Sequence, residues 1–247
     1  MAFAIMQKEL AAPPLEQLAD AFRVLPTLTA LDAQTVVNDA FGILLRGLDV
    51  ESASALQDAL AKKGLETEVV DEAELPSLPP ARMVKQMEFL PGHVLMYDPM
   101  GRRFSLPSSD IMLIAAGNVR LPEYKKAHSP AEAAQPAQDF LHNGRSRDSA
   151  QYHLMLEVVL AGGVSRYSLI ADEFVFNHLG ARLTHDSAQN FSLLVRDLAE
   201  FAPHAGLNRG AFLICENTKE IFPYPNKAAF FEELTWFLWL TSRVAAP

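Results

Sequence analysis

Asn226-Lys227-Ala228-Ala229-Phe230-Phe231-Glu232-Glu233-Leu234-Thr235-Trp236-Phe237-Leu238-Trp239-Leu240 holds both tryptophans of the chain and three of its 15 phenylalanines. No glycine or proline interrupts the run. Asn226 can cap a helix by accepting from a first-turn amide, so the stretch predicts a helix over 227–243. On that helix Phe230, Leu234, Phe237 and Thr241 form one stripe, with Phe231 and Leu238 on one flank and Ala229, Trp236 and Leu240 on the other. Apolar surface nearly encircles the second half. Such a helix has to be covered on more than one side, each Å² of apolar surface removed from water contributing roughly 25 cal/mol. Its aromatic surface exceeds what one sheet mouth needs, which makes Phe230, Phe231, Trp236 and Trp239 the candidate interface residues.

The helix is not expected to span a membrane. Between Glu233 and Arg243 lie nine uncharged residues, against roughly 20 needed to cross a bilayer. At the other end Met1 to Met6, followed by Gln7, Lys8 and Glu9, has neither the basic lead nor the apolar length of a signal peptide. A soluble, cytoplasmic protein is the expectation. The single cysteine, Cys215, excludes an intramolecular disulfide and a cysteine-based zinc site.

Charge is distributed unevenly. Residues 1–80 carry 5 Lys+Arg against 13 Asp+Glu, a net of −8, whereas residues 81–247 carry 16 against 17, a net of −1. That acidic first third repels a phosphate backbone and no basic run follows, so nucleic-acid binding is not expected.

Residues 2–6 read as a strand, and Pro13-Pro14 opens a helix whose Leu15, Leu18, Ala19 and Phe22 share one face. Thr27 to Val37 reads as extended and Phe41 to Leu45 as a buried strand. A helix capped by Asp49 follows, with Ala53, Leu56 and Leu60 inward and Lys63-Gly64 at its end, and then a strand at Thr67 to Val70. This βαββαβ order predicts a ferredoxin-like domain over residues 1–75. Ala73-Glu74-Leu75-Pro76-Ser77-Leu78-Pro79-Pro80 places a Pro-rich linker at 76–81.

Beyond it, residues 82–247 read as a β-rich domain. Strands are expected at 83–89 and 93–98 around a Pro91-Gly92 turn, then through Phe104 and Leu106, at 110–115, and at 119–121. Residues 122–150 form a surface excursion rich in proline and alanine. Alternation in Tyr152, Leu154, Leu156, Val158 and Leu160 predicts a long strand, a hairpin at Ala161-Gly162-Gly163-Val164, and a return strand through Tyr167 and Leu169, with Phe174-Val175-Phe176 as a short edge. Asp186 caps a helix over 187–202, and Ala211 to Cys215 reads as a strand before the aromatic helix. Six or seven antiparallel strands followed by helices resemble the pleckstrin-homology-like arrangement, over roughly 82–171 with 226–243. That likeness implies a bent sheet or partly closed barrel under a helix; the fold class is α+β.

No motif assigns an activity. The chain lacks a P-loop, a dinucleotide fingerprint and a nucleophile elbow. Its seven histidines, His93, His128, His142, His153, His178, His185 and His204, form no metal-ligand spacing. No catalytic residue, metal ligand or cofactor is assigned. His153 and Glu157 share one face of a strand, read as solvated. Cys215 reads as a buried inert thiol, and Arg102-Arg103 with Lys85 as an ordinary basic turn rather than a lipid site. The leading expectation is a non-catalytic protein-interaction or regulatory module, with a protein partner or a second copy of the chain. One alternative is a small-molecule sensor holding its ligand at the N-terminal domain or between domains; another is an unfamiliar enzyme built from His153, Glu157, Asp110 or Cys215.

Overall fold

The computed structural model describes residues 1–39, 42–121, 151–218 and 220–244 of the chain. The excursion expected at 122–150 lies outside the described residues. What is described is a mixed α+β fold with open, largely antiparallel sheets, and among the described residues no sheet closes into a barrel.

The N-terminal part consists of β1 (Phe3–Gln7), α1 (Leu15–Phe22), α2 (Ala30–Asp39), β2 (Ile43–Leu48), α3 (Val50–Lys62) and β3 (Thr67–Asp71). Its three-stranded sheet has the order β2-β1-β3, with β1 antiparallel to both neighbours. β2, α3 and β3 therefore form a split βαβ unit around β1. The extended segment expected at 27–37 is corrected. Thr29 and Asp32 exchange hydrogen bonds, the Thr29 amide donating to Asp32 Oδ2 at 2.7 Å and the Asp32 amide to Thr29 Oγ1 at 3.3 Å. This reciprocal cap starts α2. The order is thus βααβαβ, one strand short of the expected ferredoxin-like plan. The Asp49 cap of α3 is as expected, its Oδ1 accepting from the Ser52 amide at 2.8 Å.

A second sheet has the order β11-β8-β9-β10-β4, from β4 (Ala81–Met83), β8 (Ile111–Leu121), β9 (Gln151–Leu160), β10 (Arg166–Ile170) and β11 (Gly206–Leu207); β12 (Pro223–Tyr224) also pairs with β8. A third is the meander β5 (Gln86–Leu90), β6 (His93–Tyr97) and β7 (Arg103–Pro107), turning at Pro91-Gly92 and through 98–102. The strands expected at 110–115 and 119–121 are one, β8, and glycine fits at 117 because the Tyr224 ring lies where a side chain would project. Nor is 211–215 a strand. Asn208 accepts from the Ala211 amide at 2.9 Å and caps α5 (Arg209–Cys215). The expected 174–176 edge is reduced to one bridge between Gln86 and Val175.

These elements stack in layers. α1 and α3 cover one face of the small sheet through Leu18, Phe22, Leu56 and Leu60 against Ile5 and Leu44, with α2 packed on α1. One face of the large sheet packs on the meander, α5 and α4 (Ser187–Phe201). Between the two sheets lies α6 (Lys227–Val244), capped by Asn226, whose Oδ1 accepts from the Ala229 amide at 2.8 Å. Phe230, Leu234 and Leu238 face Leu113, Ala115, Val119, Met155 and Val159 of the large sheet. Trp236 and Trp239 face Ala4, Met6, Ile43 and Val70 of the small one. The double cover that the sequence demanded is two sheets of the same chain, not a barrel mouth and a partner. The stripe facing the large sheet runs through Leu238, with Phe237 half-buried where both clusters meet.

The Pro-rich connection is tied to this layer. Leu75 packs near Trp236 and Trp239, Leu78 joins the core under α6, and the Pro79 carbonyl accepts from Arg166 Nε at 3.1 Å. Among the described residues no helix is long and apolar enough to cross a membrane.

Candidate functional site

The four candidate interface residues lie within the chain's own layers. Phe230, Trp236 and Trp239 are buried, and Phe231 is half-buried beneath Arg166, whose guanidinium carbon is 4.6 Å from the ring centroid, and Lys227, whose Nζ is 5.2 Å from it. Trp236 also makes the central polar contact between α6 and the small sheet: its Nε1–H donates to the Gln7 carbonyl at 2.6 Å.

Burying α6 on both sides encloses two polar clusters. In the first, Tyr224, Asn208 and Glu233 are all fully buried. Asn208 Nδ2 donates to the Tyr224 hydroxyl at 2.9 Å, that hydroxyl donates to Glu233 Oε2, and Glu233 Oε1 accepts from the Arg209 amide at 2.7 Å. Burial raises the Glu233 carboxyl, opposed by the Arg209 amide and the Tyr224 hydroxyl. Each partner is internal, so the cluster fastens β8, β12, α5 and α6 together.

The second cluster corrects the sequence reading of Glu157, which is fully buried rather than solvated. The face it shares with His153 is the face α6 covers. Glu157 Oε1 accepts from Ser168 Oγ at 2.8 Å, while Oε2 lies 3.2 Å from Arg166 Nη1. Burial pushes the Glu157 carboxyl up to about 7, with Arg166, Ser168 and Lys227 opposing. This cluster fixes β9, β10 and the Pro79 segment under the start of α6.

The residues named for catalysis do not converge. His153 Nδ1 is 3.1 Å from Asp172 Oδ2, Glu157 sits with Ser168 and Arg166, and Asp110 accepts from Ser109 at 3.1 Å. Cys215 is half-buried on α5, and burial raises its thiol, which keeps it protonated. Arg102 Nε donates to Asp98 at 2.6 Å and Lys85 to Glu173 at 2.6 Å, so two of the three cations of the basic turn are ion-paired. His178 packs among Phe89, Phe174 and Phe176, neither ring nitrogen having a partner among the described residues. Among the described residues no group of three His, Cys, Asp or Glu could hold a metal ion.

Two clefts lie against side chains with unsatisfied polar atoms, one of about 270 Å³ along His178 and one at the small sheet. At the end of the small sheet, on its helix-covered side, a cleft of about 290 Å³ opens between residues 9–14 and the turn 64–66 that follows α3. Gln7 and Thr67, paired across β1 and β3, form its polar wall, and Pro13, Leu44 and Leu65 are among its apolar residues. Thr67 is 6% exposed, and its hydroxyl has no partner among the described residues. Gln7 is 7% exposed, and both polar atoms of its side chain are hydrogen-bonded. Its Nε2 donates to the Ala11 carbonyl at 2.7 Å, its Oε1 accepts from the Gly42 amide at 3.2 Å, and its own carbonyl accepts from Trp236. Nothing in local sequence singles out Thr67; only the pairing of β1 with β3 beneath the helices makes a polar pair of it and Gln7.

A larger cavity of about 430 Å³ lies between the start of β8 and the end of α6, lined by Ile111, Leu113, Phe237 and Leu240 with His204 and Thr241. The Thr241 hydroxyl already donates within its helix and His204 is exposed, so no buried polar group there awaits a ligand.

No protein-family model matches the chain, and neither curated proteins nor solved structures give a match.

Proposed function

We propose that the protein is a non-catalytic regulatory module that binds a small molecule in the cleft between Gln7 and Thr67 and transmits occupancy to α6. The observation that carries this is an open cleft whose polar wall, Gln7 and Thr67, encloses a Thr67 hydroxyl with no partner among the described residues. An unsatisfied buried hydroxyl costs about 1–3 kcal/mol, which a ligand's hydrogen bond would recover once the side chain turns toward the cleft. Transmission rests on Gln7, whose side chain holds the cleft loop through Ala11 while its carbonyl holds Trp236.

This reading takes the sensor alternative over a protein partner, because the aromatic residues that pointed to a partner are packed within the chain. The split βαβ unit is one that ferredoxin-like domains share, and the cytoplasm is the compartment the proposal supposes. A thermal-shift screen of the full chain against a broad panel of small metabolites tests it, run in parallel on Thr67→Val. The expected result is at least one compound that raises the melting temperature of the wild type and not of the variant. A panel with no Thr67-dependent hit overturns the reading.

A further inference from the structure

We infer that the free edge of β4 is a docking site for an extended acidic segment of a partner protein, which adds to the large sheet as a further strand. This surface is separate from the Gln7–Thr67 cleft. β4 ends the large sheet and pairs with β10 on one side. The Val84 amide donates across that pair to the Ser168 carbonyl at 2.8 Å, and the next amide, that of Lys85, donates the other way to the Tyr97 carbonyl at 2.7 Å. Successive residues of a strand direct their N–H and C=O groups to opposite sides, so Met83 and Ala81, like Lys85, direct theirs away from β10. β6 ends at Tyr97 and the chain turns away through 98–102. Among the described residues, the backbone groups of Ala81 and Met83 therefore have no partner on that side.

A hollow of about 410 Å³ opens at this edge, between Arg82 and Met83 on one side and Asp98, Pro99, Arg102 and Phe104 on the other. Its lining is basic in a protein whose net charge is −9. Arg82 is exposed and lies over the Phe104 ring, its guanidinium carbon 5.6 Å from the centroid, with no carboxylate partner among the described residues. Arg102 is 70% exposed and engages Asp98 through Nε. Asp98 is itself answered within the turn, its Oδ1 accepting from the Met100 and Arg102 amides at 2.8 and 2.9 Å. An unpaired strand edge is a template for another extended chain, and the charge beside it selects which. A second copy of β4 would bring another Arg82 to the same hollow, and like charges across a strand pair are unfavourable. A segment with carboxylates at alternate positions places them together on the Arg82 face while its backbone pairs with Ala81 and Met83.

The test is calorimetric titration of the full chain with the end-capped peptides Glu-Val-Glu-Val-Glu and Asp-Ile-Asp-Ile-Asp, against Lys-Val-Lys-Val-Lys. The expected result is saturable binding of at least one acidic peptide and none of the lysine peptide. Arg82→Glu should weaken that binding about tenfold or more. Met83→Pro, which removes an N–H directed away from β10, should do the same. N-methylated peptides read the mode of binding on the unaltered protein: methylating one alternate set of peptide amides should abolish binding, and methylating the other set should spare it. Binding that survives both sets, or that is unchanged in Arg82→Glu, overturns the proposal. Failure of both acidic peptides to bind also overturns it, and association with phosphatidylserine vesicles in their place would assign the basic hollow to a membrane surface.

Discussion

The indole N–H of Trp236 donates to the carbonyl of Gln7 at 2.6 Å, across 229 residues of sequence. The Trp236 ring also fills the space where a side chain on Gly42 would project. This joint fixes α6 against the small sheet at the residue whose side chain braces the cleft. Trp236→Phe removes the donor and leaves a buried carbonyl unpaired, so it is expected to lower stability by about 1–3 kcal/mol in urea unfolding. Trp239→Phe keeps every described hydrogen bond, and should cost less.

Thr67→Val replaces a buried hydroxyl that has no partner among the described residues with a methyl group of similar size. Without ligand the variant should be at least as stable as the wild type, by up to about 1 kcal/mol, since a desolvated polar group has been removed. Equilibrium denaturation checks this, and a marked loss of stability would mean that the hydroxyl already has a partner.

Glu157 supplies a pH signature. Its folded carboxyl titrates at about 7 against an ordinary value of 4.5. The folded state therefore binds this proton more tightly than the unfolded chain does. The contribution is fully present below pH 4.5, declines as pH rises toward 7 and is gone above it. The stability difference between wild type and Glu157→Gln should therefore move against the wild type by about 3 kcal/mol from pH 4.5 to above 7. Urea titrations of both proteins at pH 5 and pH 8.5 read the difference.

His178 acts in the opposite direction. Burial among phenylalanines lowers its pKa, with Asp197 opposing, so the fold favours the neutral ring. Its contribution is present above the ordinary value of 6.5 and lost as pH falls below it. His178→Phe should flatten the acid limb of a melting-temperature profile below that pH while leaving the neutral region in place.

What was legible in the sequence is what local chemistry decides. Asp49, Asp186 and Asn226 announce α3, α4 and α6 because each cap is a contact within a few residues. The encircling apolar surface of α6 likewise stated that two layers must cover it. Errors arose where a local signal had two readings: threonine and valine in 27–37 suit a strand, yet Thr29 and Asp32 cap a helix, and the apolar run at 211–215 is short enough for either. Glu157 and Thr67 were beyond reach for another reason. Whether a polar residue on an alternating strand meets water depends on the element that later lies over that face, and α6 over Glu157 joins it only at the far end of the chain.

The central claim, that an occupied cleft is felt at α6, is tested most directly by the emission of Trp236 in a Trp239→Phe protein, where it is the sole tryptophan. Titration with a compound that raises the melting temperature should change the intensity or wavelength of that emission saturably, with the same midpoint as the thermal shift, and Thr67→Val should abolish the change. An emission spectrum that stays fixed while the compound binds would contradict the account.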